Sequence, residues 1–311
     1  MKKLFLLLII SINAMAQSPR QDYASMGIES SKSWIDIDYV GDGIIGHKLD
    51  IFLPKTSQAP YPVAITIYGS AFFSNSSKAN CFKDNFGQTL LQNGFAVVSI
   101  NHRSSKDALW PAQIHDVKAA IRFIRGNAKT FSLDEKFIGI TGFSSGGHLS
   151  AMAGVTSHIK NTEIKGLTID LEGTLGNFTD ESSHVDAVVD FFGPTDFLTM
   201  DSCGSSMVHD DPKSPESSLI GGPIQKNKKK TALANPMNYV NKDNPPFLIL
   251  HGNKDPLVPH CQSEALYKVL HNTKVPSNLI IVDGGGHGPG VMIDTYYTQM
   301  INFFKAEMNK Q

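Results

Sequence analysis

The chemistry most visible in this sequence is nucleophilic. Gly142-Phe143-Ser144-Ser145-Gly146 has the G-x-S-x-G spacing, an apolar run precedes it, and the helix-compatible segment Gly147-His148-Leu149-Ser150-Ala151-Met152-Ala153 follows. A serine that attacks a carbonyl must stand on a tight strand-to-helix turn with its hydroxyl clear of the backbone, and small residues two positions either side let that turn close. The same turn places the N–H of Ser145 at a helix start, facing the charge that develops on a substrate oxygen.

A serine hydroxyl is a weak nucleophile until a base takes its proton, and the base needs a carboxylate to fix its tautomer. Of eleven histidines, His287 alone sits just past an expected strand end, within Gly284-Gly285-Gly286-His287-Gly288. Open α/β sheets place their sites at such strand ends. His148, His115 and His251 read instead as hydrogen-bonded framework residues. Two carboxylates follow strands on the correct edge: Asp255, in His251-Gly-Asn-Lys-Asp-Pro-Leu-Val-Pro259, and Asp196, in Gly193-Pro-Thr-Asp196. The order Ser144, Asp255, His287 favours Asp255 and leaves Asp196 to cap a helix or line the pocket.

A second oxyanion donor is expected in the loop after the third strand, which reads Tyr68-Gly69-Ser70-Ala71-Phe72-Phe73. Either the backbone N–H groups of Ser70 and Ala71 join that of Ser145, or the Tyr68 hydroxyl points into the hole. The first is preferred.

These residues require a frame. Trp34–Tyr39 and Lys48–Leu53 read as an antiparallel edge pair, followed by apolar runs at Val63–Tyr68, Ala96–Ile100, Phe137–Thr141, Asp186–Phe192, Phe247–Leu250 and Leu279–Val282. Near-continuous apolar runs suit strands covered on both faces. Helical spacing marks Pro111–Asn127, the segment after Cys261, and Val291–Met308. Alternation of the two gives an α/β fold with a mainly parallel sheet of about eight strands and helices on both faces. The stretch from Gly193 to Met237 reads as loop with short helices, and His209-Asp210-Asp211 within it as a surface turn. Ser74–Phe86 and Thr156–Ser183, which lack clear periodicity, are expected to shape the pocket.

Composition narrows the partner. With 41% hydrophobic and 18% charged residues the chain is an ordinary globular one, which excludes disordered, collagenous and coiled-coil classes. A formal charge of −1 gives no electrostatic reason to bind nucleic acid or an anionic membrane. Lys2 and Lys3, an apolar run from Leu4 to Ile12 and Ala14-Met15-Ala16 form the pattern of a secretory signal peptide at residues 1–16. That run is too short to span a bilayer. Export to the periplasm or beyond, and a single domain over 17–311, are therefore expected. Three cysteines, Cys81, Cys203 and Cys261, have no C-x-x-C spacing for a metal and leave one thiol over from any of three pairings.

Gly142-Phe-Ser-Ser-Gly-Gly-His148, the Asp255 segment and Gly284-Gly-Gly-His287 together resemble the α/β-hydrolase superfamily. More closely, Pro111-Ala-Gln-Ile-His-Asp-Val-Lys-Ala-Ala-Ile-Arg122, Phe191-Phe-Gly-Pro-Thr-Asp196 and Ser214-Pro-Glu-Ser-Ser-Leu-Ile-Gly-Gly-Pro223 resemble exported bacterial carboxylesterases of the bifunctional feruloyl and acetyl-xylan esterase (BD-FAE) group. The resemblance runs from about Lys48 to the C-terminus. It implies the α/β-hydrolase fold, cofactor-free hydrolysis of acetyl or feruloyl esters on plant polysaccharides, and Ser144, Asp255 and His287 as nucleophile, acid and base. It further implies a Cys203–Cys261 disulfide between loops at the active edge. The oxyanion loop departs from the group, which usually has His-Gly-Gly where this chain has Tyr68-Gly69-Ser70. Two rivals share parts of this pattern: an exported peptidase of the prolyl-oligopeptidase kind, and a non-catalytic binding protein on a hydrolase scaffold.

Overall fold

The computed structural model describes residues 23–310; the leader expected at 1–16 lies outside the described residues. Ten strands form in chain order: β1 (Lys32–Asp38), β2 (Lys48–Leu53), β3 (Tyr61–Ile67), β4 (Ala96–Ile100), β5 (Leu133–Phe143), β6 (Asn161–Ile164), β7 (Leu167–Asp170), β8 (Ala187–Phe191), β9 (Phe247–Gly252) and β10 (Ser277–Val282). Eight of them make one sheet in the order β1-β2-β4-β3-β5-β8-β9-β10. β2 runs antiparallel to both β1 and β4, and every other neighbouring pair is parallel. The expected edge pair and parallel centre are therefore present. β5 is longer than its apolar run because Leu133 and Asp134 add pairs with Tyr61 and Pro62 across a register shift.

The helices are α1 (Phe86–Gln92), α2 (Ala112–Gly126), α3 (Ala128–Phe131), α4 (Ser145–Val155), α5 (Pro215–Ile220), α6 (Lys228–Ala232), α7 (Cys261–Asn272) and α8 (Asp294–Met308). They divide between two cores. Ile114, Val117 and Ile121 of α2, Leu149 of α4 and Leu266 of α7 pack in one, and Leu90 of α1 with Tyr297 and Phe304 of α8 pack in the other. Strands such as β4 feed Val98 to the first and Val97 to the second, the alternation of a sheet buried on both faces.

One element had no signal in the periodicity. β6 and β7 pair as a separate hairpin inside Thr156–Ser183, turned by Lys165 and Gly166, which both have positive φ. Both central residues of such a turn are left-handed; lysine in place of the usual asparagine or aspartate hides it. The chain just after the hairpin anchors it to α2, where Glu172 pairs with the buried Lys118 at 3.0 Å and with Arg122.

Candidate active site

Six parallel strands end on one edge, so the residues that follow them meet there. Ser144 terminates β5 and starts α4 with φ 57° and ψ −125°, a conformation that L-residues rarely adopt. It is fixed from both sides: its N–H donates to Phe191 O at 2.9 Å, and its carbonyl accepts from His148 N at 3.0 Å. The flanking glycines are required by contact. A Cβ on Gly146 would lie 2.1 Å from Ile67 O, and one on Gly142 2.5 Å from Gly146 C. The Ser144 side chain does not cap α4, which leaves its hydroxyl free to face His287.

His287 Nε2 lies 3.0 Å from Ser144 Oγ, and His287 Nδ1 lies 2.7 Å from Asp255 Oδ2. The imidazole packs on Phe192, whose φ is 44°, with ring centroids 4.8 Å apart. Asp255 has a fully buried side chain. Its Oδ1 accepts from the N–H groups of Leu257 and Val258, each at 2.9 Å. Burial by itself would push the Asp255 carboxyl up. Hydrogen bonds from His251, His287 and Val258 N, with the charge of His287, outweigh it and hold the group well below the usual carboxylate range. Asp196 does not reach this line; it caps a short 3₁₀ turn by accepting from Leu198 N at 3.2 Å.

The three framework histidines occupy distinct posts. His251 donates from Nε2 to Val258 O at 2.8 Å, stands 3.3 Å from Asp255 Oδ2, and accepts at Nδ1 from Ser263 Oγ at 2.7 Å. It thus helps to orient the Asp255 carboxyl, a role that its strand-end position did not reveal. His148 donates to Pro194 O at 2.8 Å, and burial pushes its pKa down to about 4, so it stays neutral. His115 bonds Asp170 O at the end of the hairpin.

The oxyanion loop excludes the Tyr68 alternative and corrects one of the preferred backbone donors. Tyr68 is buried, stacks on His102 and donates its hydroxyl to Ser74 O at 2.8 Å, so that hydroxyl does not enter the site. Ser70 N–H is engaged by Ser145 Oγ at 2.9 Å, which clamps the loop to the start of α4 and takes Ser70 out of the donor pair. Ala71 N–H and Ser145 N–H take no protein acceptor among the described residues. Ala71 and Phe72 both have positive φ, at 52° and 60°, a strained corner that re-aims the loop's N–H groups.

A cavity of about 700 Å³ opens on Ser144 and His287. Asn80, Lys83 and Asp84 form part of its wall, as expected of Ser74–Phe86, whereas no residue of Thr156–Ser183 lines it. That second segment covers α2 instead. Met207, Leu257, Val258 and Met292 supply apolar lining. His209 is not in a surface turn: it is 2% exposed and lines the cavity beside Glu216, because it is drawn in by that carboxylate at 2.8 Å. Cys203 and Cys261 are joined by a disulfide, which ties the segment after β8 to the start of α7. Cys81 remains unpaired and buried, with its thiol pushed up to about 11 by that burial.

The BD-FAE family model matches residues 49–270. The chain belongs to the BD-FAE family. Among curated relatives it is 30% identical to Esterase LipQ of Mycobacterium tuberculosis over 76% of this chain and 52% of that one. It is 26% identical to an acetylxylan esterase of Xylanibacter ruminicola over 77% of this chain and 43% of that one. The chain therefore spans about half the length of the curated relatives it matches. Among solved structures, a truncated carbohydrate esterase from gut microbiota superposes with a TM-score of 0.86 at 48% identity, covering 90% of this chain and 97% of that one. A bifunctional GH43-CE protein of Bacteroides eggerthii gives 0.84 at 48% identity over 89% and 35%. The α/β-hydrolase fold and the BD-FAE family are thus both established for this chain.

Beneath the elbow of this BD-FAE domain lies Asp190 on β8. It is fully buried, its Oδ1 accepts from Gly193 N at 2.9 Å, and its Oδ2 has no partner. Burial pushes its pKa up to about 7. The native state therefore binds this proton more tightly than the unfolded chain, whose aspartates titrate near ~4. Native stability from this group is fullest below that value and is lost as the pH rises to 7. Asp190→Asn is accordingly expected to gain on the wild type by up to about 4 kcal/mol between pH 4 and pH 8. Urea unfolding of both proteins at the two pH values checks this; a constant difference contradicts it.

Proposed function

We propose that this domain is a serine carboxylesterase that removes acetyl or feruloyl groups from plant cell-wall polysaccharides such as xylan. The observation that carries the reading is the continuous hydrogen-bonded line from Ser144 Oγ through His287 to Asp255, opening on a cavity. In this reading His287 Nε2 takes the Ser144 proton as Oγ attacks the ester carbonyl carbon. Ala71 N–H and Ser145 N–H hold the resulting oxyanion. His287 then returns the proton to the departing alcohol, leaving an acyl-serine. Water, deprotonated by the same nitrogen, attacks the acyl carbon and releases the carboxylic acid with Ser144 restored. Asp255 accepts the Nδ1–H throughout, which keeps Nε2 as the basic nitrogen and balances the imidazolium.

The substrate class draws support from the 48% identical carbohydrate esterase and the acetylxylan esterase relative. Export draws support from the leader pattern at residues 1–16 and from the Cys203–Cys261 disulfide, since such bonds persist in oxidising compartments. The test is chromatography of acetate and ferulate released from acetylated and feruloylated arabinoxylan oligosaccharides, with Ser144→Ala as the blank. Release of either acid, absent from the blank, is expected and names the acyl group. Release of neither overturns the substrate assignment.

A further inference from the structure

One part of the cavity wall holds a charged pair that the acyl-transfer steps do not use. Glu216, in the first turn of α5, lines the cavity although its side chain is only 5% exposed. Its Oε2 is bonded to His209 Nδ1 at 2.8 Å, and its Oε1 takes no hydrogen bond among the described residues. The pair stands among Met207, Pro215, Leu257 and Val258, which offer little to solvate a carboxylate.

His209 is unusually well fixed. Its Nε2 faces Leu257 O at 3.1 Å and Ser205 Oγ at 2.9 Å. With a carboxylate at one ring nitrogen and a carbonyl at the other, the imidazole is set to donate from both. Burial works against its charge, but the hydrogen bond and the charge of Glu216 prevail and raise its pKa above the ordinary histidine value. The backbone is held as firmly: His209 N donates to Asp201 Oδ1 at 2.8 Å, and His209 O accepts from Ser214 Oγ at 2.6 Å. Ser206 binds Pro256 O through both its N–H and its hydroxyl, beside the Cys203–Cys261 bridge. The wall that carries Glu216 is therefore fastened to the loop that carries Asp255.

A rigid, acceptor-only group with one oxygen engaged by His209 and the other open to the cavity is set to take a donor from whatever fills that cavity. A negative charge there also disfavours an anionic ligand, so the fitting partner is a neutral hydroxyl. We propose that Glu216 Oε1 reads a hydroxyl of the ester substrate, with His209 as its positioning residue. The inference rests on the esterase reading and names what that site selects. A hydroxyl can come from the sugar that bears the ester or from the phenol of an aromatic acyl group, and the chemistry of recognition is the same for both.

The test compares kcat/KM for acetylated xylobiose, whose hydroxyls lie on the alcohol, and methyl ferulate, whose hydroxyl lies on the acyl group, each as a ratio to p-nitrophenyl acetate, which has none. In Glu216→Gln the amide oxygen faces the His209 donor and the amide N–H groups face the cavity, which turns an acceptor into a donor. At least one ratio is expected to fall by about 10- to 100-fold, the loss typical of a hydrogen bond to a charged group. A fall for acetylated xylobiose assigns the sugar, and a fall for methyl ferulate assigns the phenol. Unchanged ratios overturn the proposal, whether the absolute rates hold or drop together. Binding separates this from the esterase reading. Calorimetric titration of Ser144→Ala protein with xylobiose and with feruloyl amide, neither of them an ester, is expected to show at least one weakened tenfold by adding Glu216→Gln. Equal affinities, or no binding of either probe, overturn it even if no ester is hydrolysed.

Discussion

Replacing Ser144 with alanine is expected to lower kcat/KM for p-nitrophenyl acetate by at least about three orders of magnitude while the protein keeps its fold. Among the described residues no other hydroxyl is bonded to His287 Nε2. Ser145 is adjacent in sequence, but its Oγ is engaged by Ser70 N and its side chain belongs to the first turn of α4, so it cannot take over. Alanine at φ 57° is no worse off than serine, and the Phe191 and His148 backbone bonds persist, so thermal unfolding should be nearly unchanged. Activity within tenfold of the wild type would remove Ser144 from the mechanism.

Asp255→Asn is expected to reduce kcat by about 10³- to 10⁴-fold, and Asp196→Asn by less than about tenfold. The difference follows from where the acceptors must be. Leu257 N and Val258 N both donate to Asp255 Oδ1, so an asparagine there must turn its carbonyl oxygen to them. Its amide N–H groups then face His287 Nδ1, which is forced to accept. The ring hydrogen moves to Nε2, the nitrogen that has to receive the proton of Ser144, and the base is lost with its geometry intact. Asp196 bonds only within its own turn, so its amide variant disturbs a cap. Equal losses in the two variants would put the acid in doubt.

These two expectations also show how legible the site is in the sequence. The elbow is local in its pattern: five consecutive residues define its turn, although the contacts that forbid a side chain at Gly142 and Gly146 come from Ile67 and Tyr68 at the end of β3 as well as from the turn itself. His287 is legible for a similar reason, since a glycine-rich loop after a strand is itself a local pattern. The strands were readable because residues covered on both faces form unbroken apolar runs, and α2 because its buried positions recur at helical spacing. The β6–β7 hairpin was not, since polar alternation with a lysine in the turn resembles loop.

The remaining choices are not local. Asp255 and Asp196 both follow strands of the sheet, and only the order β8-β9-β10 brings the first to His287, 32 residues on, and leaves the second in its own turn. Tyr68 and Ser70 are chemically able donors that tertiary contacts with Ser74 and Ser145 occupy. His209 reads as solvated among Asp210 and Asp211 until Glu216 and Leu257 are placed around it. The sequence by itself determined the strand-turn-helix that presents Ser144, the parallel sheet beneath it and the family. The tertiary structure decided which carboxylate meets His287, which amide hydrogens stay free beside Ser144 and which buried pair lines the cavity. The division has one physical reason. A turn or a periodic face is specified by neighbours within a few residues, whereas a hydrogen bond across 143 residues, as between Ser144 and His287, exists only once strand order has brought the two loops together.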